Sequence, residues 1–143
     1  MFDKHCLGVD QVQRAIAVVL REASSQPERP VAVALVDDRG DLLGFARMDR
    51  TPPYSAVMAQ RKAYTSVMMR SDTLQYQQRL RKSGGSPADT GDPKITSAQG
   101  GVLVTFDGQI VGGIGVSGNT GERDEELARI GLTALDLPSA SRA

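Results

Sequence analysis

Lys62 is the residue in this sequence best placed to do chemistry. It sits among Val57, Met58, Ala59 and Ala63, and Asp49, Glu122 and Asp124 are the acids it could pair with. A lysine buried beside carboxylates can have its pKa moved toward the range where proton transfer is useful. Lys62 with Glu122 or Asp124 is therefore a candidate acid–base set. The alternative is a lysine whose stem runs past apolar neighbours and leaves its charge in water. Arg47 and Asp49 in Arg47-Met-Asp49, and Arg61 and Thr65 flanking Lys62, are further polar groups that could meet a ligand.

The second candidate is the glycine-rich junction from Gly112 to Asp124. Gly113-Ile-Gly115-Val-Ser-Gly118 spells G-x-G-x-x-G. A dinucleotide fingerprint needs those glycines after the first strand of a parallel βαβ unit, with an acidic residue ~20 positions on. Here they fall in the last strand of the chain, which removes the nucleotide reading. Glycines inside a strand otherwise mark a bulge or the close approach of another backbone or a ligand. Ser117-Gly-Asn-Thr-Gly-Glu122 then opens the last helix, whose free N–H groups can hold a carboxylate or phosphate. Equally, Asn119 or Thr120 can cap that helix, with Glu122, Asp124 and Glu125 complementing its dipole. Gly115, Ser117 and Gly118 are the junction's candidate ligand contacts.

Other motifs carry less. His5 is the only histidine and stands beside the only cysteine, Cys6. It is conceivable as a base or axial ligand, but a terminal imidazole is more often an inert surface group. A zinc site needs three or four protein ligands, so no metal site is expected. Arg39-Gly-Asp41 reads as a hairpin loop. Lys+Arg and Asp+Glu both number 17, giving zero formal net charge and no basic stripe of the kind nucleic-acid binders show. A lone cysteine rules out an internal disulfide framework, and no run approaches the ~20 apolar residues of a membrane span. These features predict a cytoplasmic protein with neither nucleic-acid nor membrane partners. Near-zero charge permits self-association.

The elements that must position these residues follow from periodicity. Val12, Ile16, Val19, Leu20 and Ala23 recur at helical spacing, predicting a helix over 9–23 that ends before Pro27 and Pro30. Val31–Val36 and Leu42–Met48, joined by Asp37-Asp-Arg-Gly-Asp41, predict an antiparallel hairpin. Ser55 is the expected N-cap of a helix running to about Arg70, and a second helical piece spans about 72–82. Residues 83–93 read as a mobile loop and 96–99 as a brief strand. Val102–Phe106 and Gln109–Val116 form a second hairpin across Asp107-Gly108. A closing helix includes 127–135, and the tail from about Pro138 is expected to be disordered. The whole chain, 1–143, reads as one α+β domain, of a length that buries a sizeable core.

Taken in order, these pieces resemble one family. Val36-Asp37 with Gly40, Phe45-Ala-Arg-Met-Asp49, Ala59 with Lys62-Ala63 and Thr65, Gly100-Gly101, and Ile114-Gly-Val-Ser-Gly118 with Gly121-Glu and Asp124-Glu look like the GlcG/HbpS-like haem-degrading domain family. That family includes the carboxy-terminal domain of PduO-type corrinoid adenosyltransferases. The resemblance implies a profilin-like fold, an antiparallel sheet of about five strands flanked by helices, in homo-oligomers, with haem or a corrinoid bound by some members. Two segments depart from the pattern. Ser83–Ser97 lacks the apolar, proline-rich look of relatives, and the stretch after Gly101 is short. Both would remodel the pocket, and in place of His5 a Met, Thr or Lys ligand, or a carboxylate contact through Arg47 or Lys62, would have to hold the haem.

Two functions are thus expected as alternatives. One is an oligomeric small-molecule-binding domain for haem, a corrinoid or an anionic metabolite, its pocket lined by Arg47, Asp49, Lys62, Thr65 and the 115–124 junction. The other is a catabolic isomerase, hydrolase or lyase acting on a small carboxylated metabolite through Lys62 with Glu122 or Asp124.

Overall fold

The computed structural model describes residues 1–138. Elements run α1 (Val9–Ala23), β1 (Ala32–Val36), β2 (Leu42–Arg47), α2 (Pro53–Met68), α3 (Thr73–Ser83), a 3-10 turn (Pro87–Thr90), β3 (Gly101–Phe106), β4 (Gln109–Ser117) and α4 (Gly121–Ala134). The four strands form one antiparallel sheet in the order β2-β1-β4-β3. The α+β architecture is as expected, with four strands rather than about five. The expectation for the tail falls on residues 139–143, outside those described.

The sheet's two faces differ in what they can accommodate. Val33 and Leu35 of β1, Val102 and Val104 of β3, and Ile114 and Val116 of β4 point one way and form the main core with α1 and α4. The other face carries Ala32 and Ala34 and packs against Ala59, Ala63 and Val67 of α2. Its glycines let the α2 backbone lie almost on the sheet. A Cβ on Gly115 would sit 2.0 Å from the Ala59 carbonyl oxygen, and one on Gly101 2.4 Å from that of Lys62. At such separations only hydrogen fits, so Gly113 and Gly115 answer to helix packing.

Both hairpins form where the turn residues predict. Asp107 (φ 51°) and Gly108 (φ 74°) take the left-handed conformations of a two-residue hairpin loop. In the first hairpin Asp37 Oδ1 accepts the Arg39 and Asp41 N–H groups at 2.8 and 3.0 Å, which absorbs Arg39-Gly-Asp41 into a turn.

Two local expectations are corrected, and the 83–93 loop gains local detail. Ser55 is not the N-cap of α2: the helix starts at Pro53, whose fixed φ suits the first helical position, and Ser55 lies buried within it. Residues 96–99 are not a strand, because side chains already satisfy their backbone. Thr65 Oγ1 accepts the Thr96 N–H at 3.0 Å, and Gln77 donates to the Ser97 carbonyl at 3.0 Å. Residues 83–93 contain a capped turn, in which Asp89 accepts the Ser86 N–H at 2.9 Å. Along β3's outer edge the start of α3 intervenes. Thr73 Oγ1 accepts the Gly101 N–H and Asp72 the Leu103 N–H, both at 2.9 Å.

Candidate functional site

Lys62 crosses from α2 to the end of β4. Its ammonium donates to the Val116 carbonyl at 2.9 Å and to Asp124 Oδ2 at 3.2 Å. The other Asp124 oxygen accepts the Asn119 N–H at 2.9 Å. Gly100, at φ 132°, passes so close that a Cβ there would lie 2.8 Å from Nζ. Lys62 is 4% exposed and Asp124 2%. Burial pushes the Lys62 pKa down and the Asp124 pKa up, and each shift is opposed by the partner's charge. The result is a dry clip joining α2, β4 and α4.

Helix geometry explains which acid Lys62 takes. Asp124 shares the inward stripe of α4 with Leu127, Ala128 and Gly131, spaced by three, four and seven. Glu122, two residues earlier, points away and is exposed. That stripe is present in the sequence and could have selected Asp124 over Glu122. Thr120 is the N-cap of α4, its Oγ1 accepting the Arg123 N–H at 3.2 Å.

The other sequence candidates scatter. Arg47 and Asp49 are exposed at the end of β2, with no ion pair to Lys62. Arg47 shares a cross-strand row with Ala32 and Ser117, but Ala32 between them is wholly buried. Thr65 is fully buried and holds the 96–99 segment. Gly115 lies beneath Ala59, Ser117 is buried, and Gly118 (φ 136°) fits against the Pro30 carbonyl, 2.2 Å from where a Cβ would stand. The structure thus joins Lys62 to Asp124 and to the junction backbone, and leaves Arg47, Asp49 and Glu122 outside that group.

Open concavities lie elsewhere. One, of about 390 Å³, is bounded by the first hairpin and α2 and lined by Val36, Leu42, Val57, Arg61, Tyr64 and Lys94 among others. Another, of about 240 Å³, is lined by His5 and Cys6 with Leu7, Phe106, Val111 and Leu137. The His5 ring meets Phe106 edge to face, centroids 4.8 Å apart. Tyr64 and Lys94 escaped the sequence reading, because a lysine in a polar loop has no local signal tying it to a helix thirty residues earlier. Among the described residues no group of three or more His, Cys, Asp or Glu is placed to hold a metal ion, and no helix is long and apolar enough to cross a membrane.

The four-stranded antiparallel sheet and its flanking helices define a class of fold with solved relatives. The chain belongs to the HbpS-like family: the model described as "Haem degrading protein HbpS-like" matches residues 7–133. Protein GlcG of Escherichia coli (strain K12) is 37% identical over 107 residues, covering 75% of this chain and 78% of GlcG. The crystal structure of a doubly substituted HbpS from Streptomyces reticuli is similar at TM-score 0.84 and 32% identity, over 94% of this chain and 90% of that one. A PduOC:heme complex shares the fold at TM-score 0.83 and 24% identity, over 96% and 100% of the two chains.

Proposed function

We propose that this protein is a cytoplasmic, homo-oligomeric small-molecule-binding domain that takes a tetrapyrrole beside His5. One observation carries the reading: the chain's only imidazole and only thiol line the same cleft, against a wall of Leu7, Phe106, Val111 and Leu137. Apolar walls with one or two donors are what a haem face requires, and imidazole and thiolate are both axial ligands of haem iron. His5 and Cys6 are exposed, so the donors are reachable. The HbpS-like membership of residues 7–133 points to the same ligand class, with a corrinoid as the other tetrapyrrole. Haem, when bound, supplies redox and ligand-exchange chemistry at its iron. The chain's part is to hold the macrocycle edge and to offer His5.

At about 240 Å³ the cleft falls below the ~300–1,000 Å³ of sites that enclose a ligand. A second copy of the chain completing the enclosure accounts for that shortfall and is the reason to expect a homo-oligomer. The burial of Lys62 and Asp124 supports this binding reading over acid–base catalysis by that pair, since no substrate reaches them without opening the α2–β4 packing.

Haemin titration tests the proposal. Wild type is expected to give a saturating shift of the Soret band, and His5→Ala to lose it or move it to a different ligand signature. A wild type without a Soret shift, or a shift identical in His5→Ala, Cys6→Ser and the double variant, overturns it.

A further inference from the structure

The concavity between the first hairpin and α2 shares no residue with the His5 cleft and is built around a fixed wall. The Tyr64 hydroxyl donates to the Asp92 carboxylate, whose other oxygen accepts the Lys94 backbone N–H at 2.9 Å. One acid therefore orients both an aromatic ring and the residue whose ammonium lies 5.3 Å from that ring's centroid. The Tyr64 hydrogen bond holds the Asp92 pKa below its ordinary value, so Asp92 stays an acceptor at neutral pH. Across the cleft, Gly40 sits at φ 86°, and a Cβ there would come within 2.8 Å of the Tyr64 ring. The hairpin turn is thus shaped to the ring, which helps pre-organise the wall.

What this wall faces is amphipathic. Val36, Leu42 and Val57 supply an apolar floor, and Leu42 and Val57 are 52% and 44% exposed. Arg61 and Lys94 supply two positive charges, and neither has a carboxylate within salt-bridge distance among the described residues. Asp41 is the one acid on the lining. The volume, about 390 Å³, lies within the ~300–1,000 Å³ typical of small-molecule sites.

We propose that this cleft binds a small monocarboxylate with an apolar body, its carboxylate held by Arg61 and Lys94 and its body resting on Val36, Leu42 and Val57. The guanidinium presents the planar fork that matches a carboxylate, and the ammonium adds a second donor. A single negative charge is selected because a dianion would bring its extra charge toward Asp41 and Asp92. The reading is independent of the tetrapyrrole proposal, since His5 and Cys6 take no part.

Backbone amide NMR spectra of the isotopically labelled protein, titrated with benzoate, benzyl alcohol and inorganic phosphate in turn, test it. Benzoate is expected to move the Gly40, Tyr64 and Lys94 amides saturably. Benzyl alcohol and phosphate should each bind at least tenfold more weakly. Arg61→Gln and Lys94→Gln, both at exposed side chains that leave the core intact, should each weaken benzoate at least tenfold. Three results overturn the assignment: no saturable shift with benzoate, an affinity unchanged in Arg61→Gln, or phosphate or benzyl alcohol moving the same amides as tightly as benzoate.

Discussion

Replacing Lys62 with Met tests whether the clip between α2 and α4 is a buried ion pair. Methionine keeps most of the stem's volume but deletes the charge that faces Asp124, a carboxylate only 2% exposed. Removing one partner of a buried pair leaves an uncompensated charge and costs ~3–5 kcal/mol. Asp124→Leu should cost about the same, since it also orphans the Asn119 N–H held at 2.9 Å. Independent losses would sum to about 6–10 kcal/mol, whereas an apolar pair that packs needs no counter-charge and often matches the ion pair it replaces. The double variant still leaves the Asn119 N–H and the Val116 carbonyl without their side-chain partners, so it is expected about 2–4 kcal/mol below wild type, a coupling of at least about 2 kcal/mol. The pH dependence gives a second signature. The Asp124 pKa is already raised by burial, and losing Lys62 removes the charge that restrains it. A carboxyl whose folded pKa exceeds its unfolded value contributes stability that is complete below the unfolded value and lost as pH rises through the folded one. In Lys62→Met that loss should begin near pH 4 and proceed at up to ~1.4 kcal/mol per pH unit. Urea unfolding followed by circular dichroism at pH 4.5 and 7.5 reads both effects: the variant's deficit should be large at pH 7.5 and shrink at pH 4.5. A deficit under about 1 kcal/mol at pH 7.5, or one equal at both pH values, would refute the reasoning.

Two more substitutions probe what surrounds the clip. Gly115→Ala places a methyl 2.0 Å from the Ala59 oxygen and 2.6 Å from the Ala63 nitrogen, both helix backbone, so the cost should reach ~3 kcal/mol, a Tm lower by about 10 °C. Gly8→Ala is its control: the nearest atom stands 3.6 Å away, and a change of under about 1 kcal/mol is expected. Thr120→Ala removes the α4 cap and should lower stability by ~1 kcal/mol in thermal unfolding; an unaltered Tm, with loss in Asn119→Ala instead, would reassign the cap.

The legible parts of this fold were those decided by neighbours in sequence. Asp107-Gly108 and the Asp37 loop carry their own turn chemistry, so both hairpins could be placed from the sequence. α1 could be read because its buried residues Val12, Ala15, Val19 and Ala23 keep helical spacing on one side. α2 was harder. Its buried face includes the polar residues Ser55, Lys62, Thr65 and Ser66; Lys62 and Thr65 find their partners in distant segments, and Ser66 bonds the Ala63 carbonyl at 2.7 Å. The 96–99 segment looked like a strand for the converse reason: the Thr65 hydroxyl that replaces a strand partner lies thirty-one residues upstream.

The Gly112–Asp124 junction shows why a motif and its geometry can part. Taken alone, its glycines resemble an approach path for a ligand, and in space the approach is made by α2. Once α2 lies that close, Lys62 on the same helix has nowhere to send its ammonium except the end of β4, where the Val116 carbonyl lacks a strand donor and Asp124 faces inward. The small residues and the buried charge pair are thus one device: the glycines bring the helix down, and the lysine fastens it. Such a device consumes the polar groups that the sequence offered as a site. The open concavities are left to residues facing outward from the same scaffold, Arg61 and Tyr64 on the far side of α2 and His5 beside the β3–β4 hairpin.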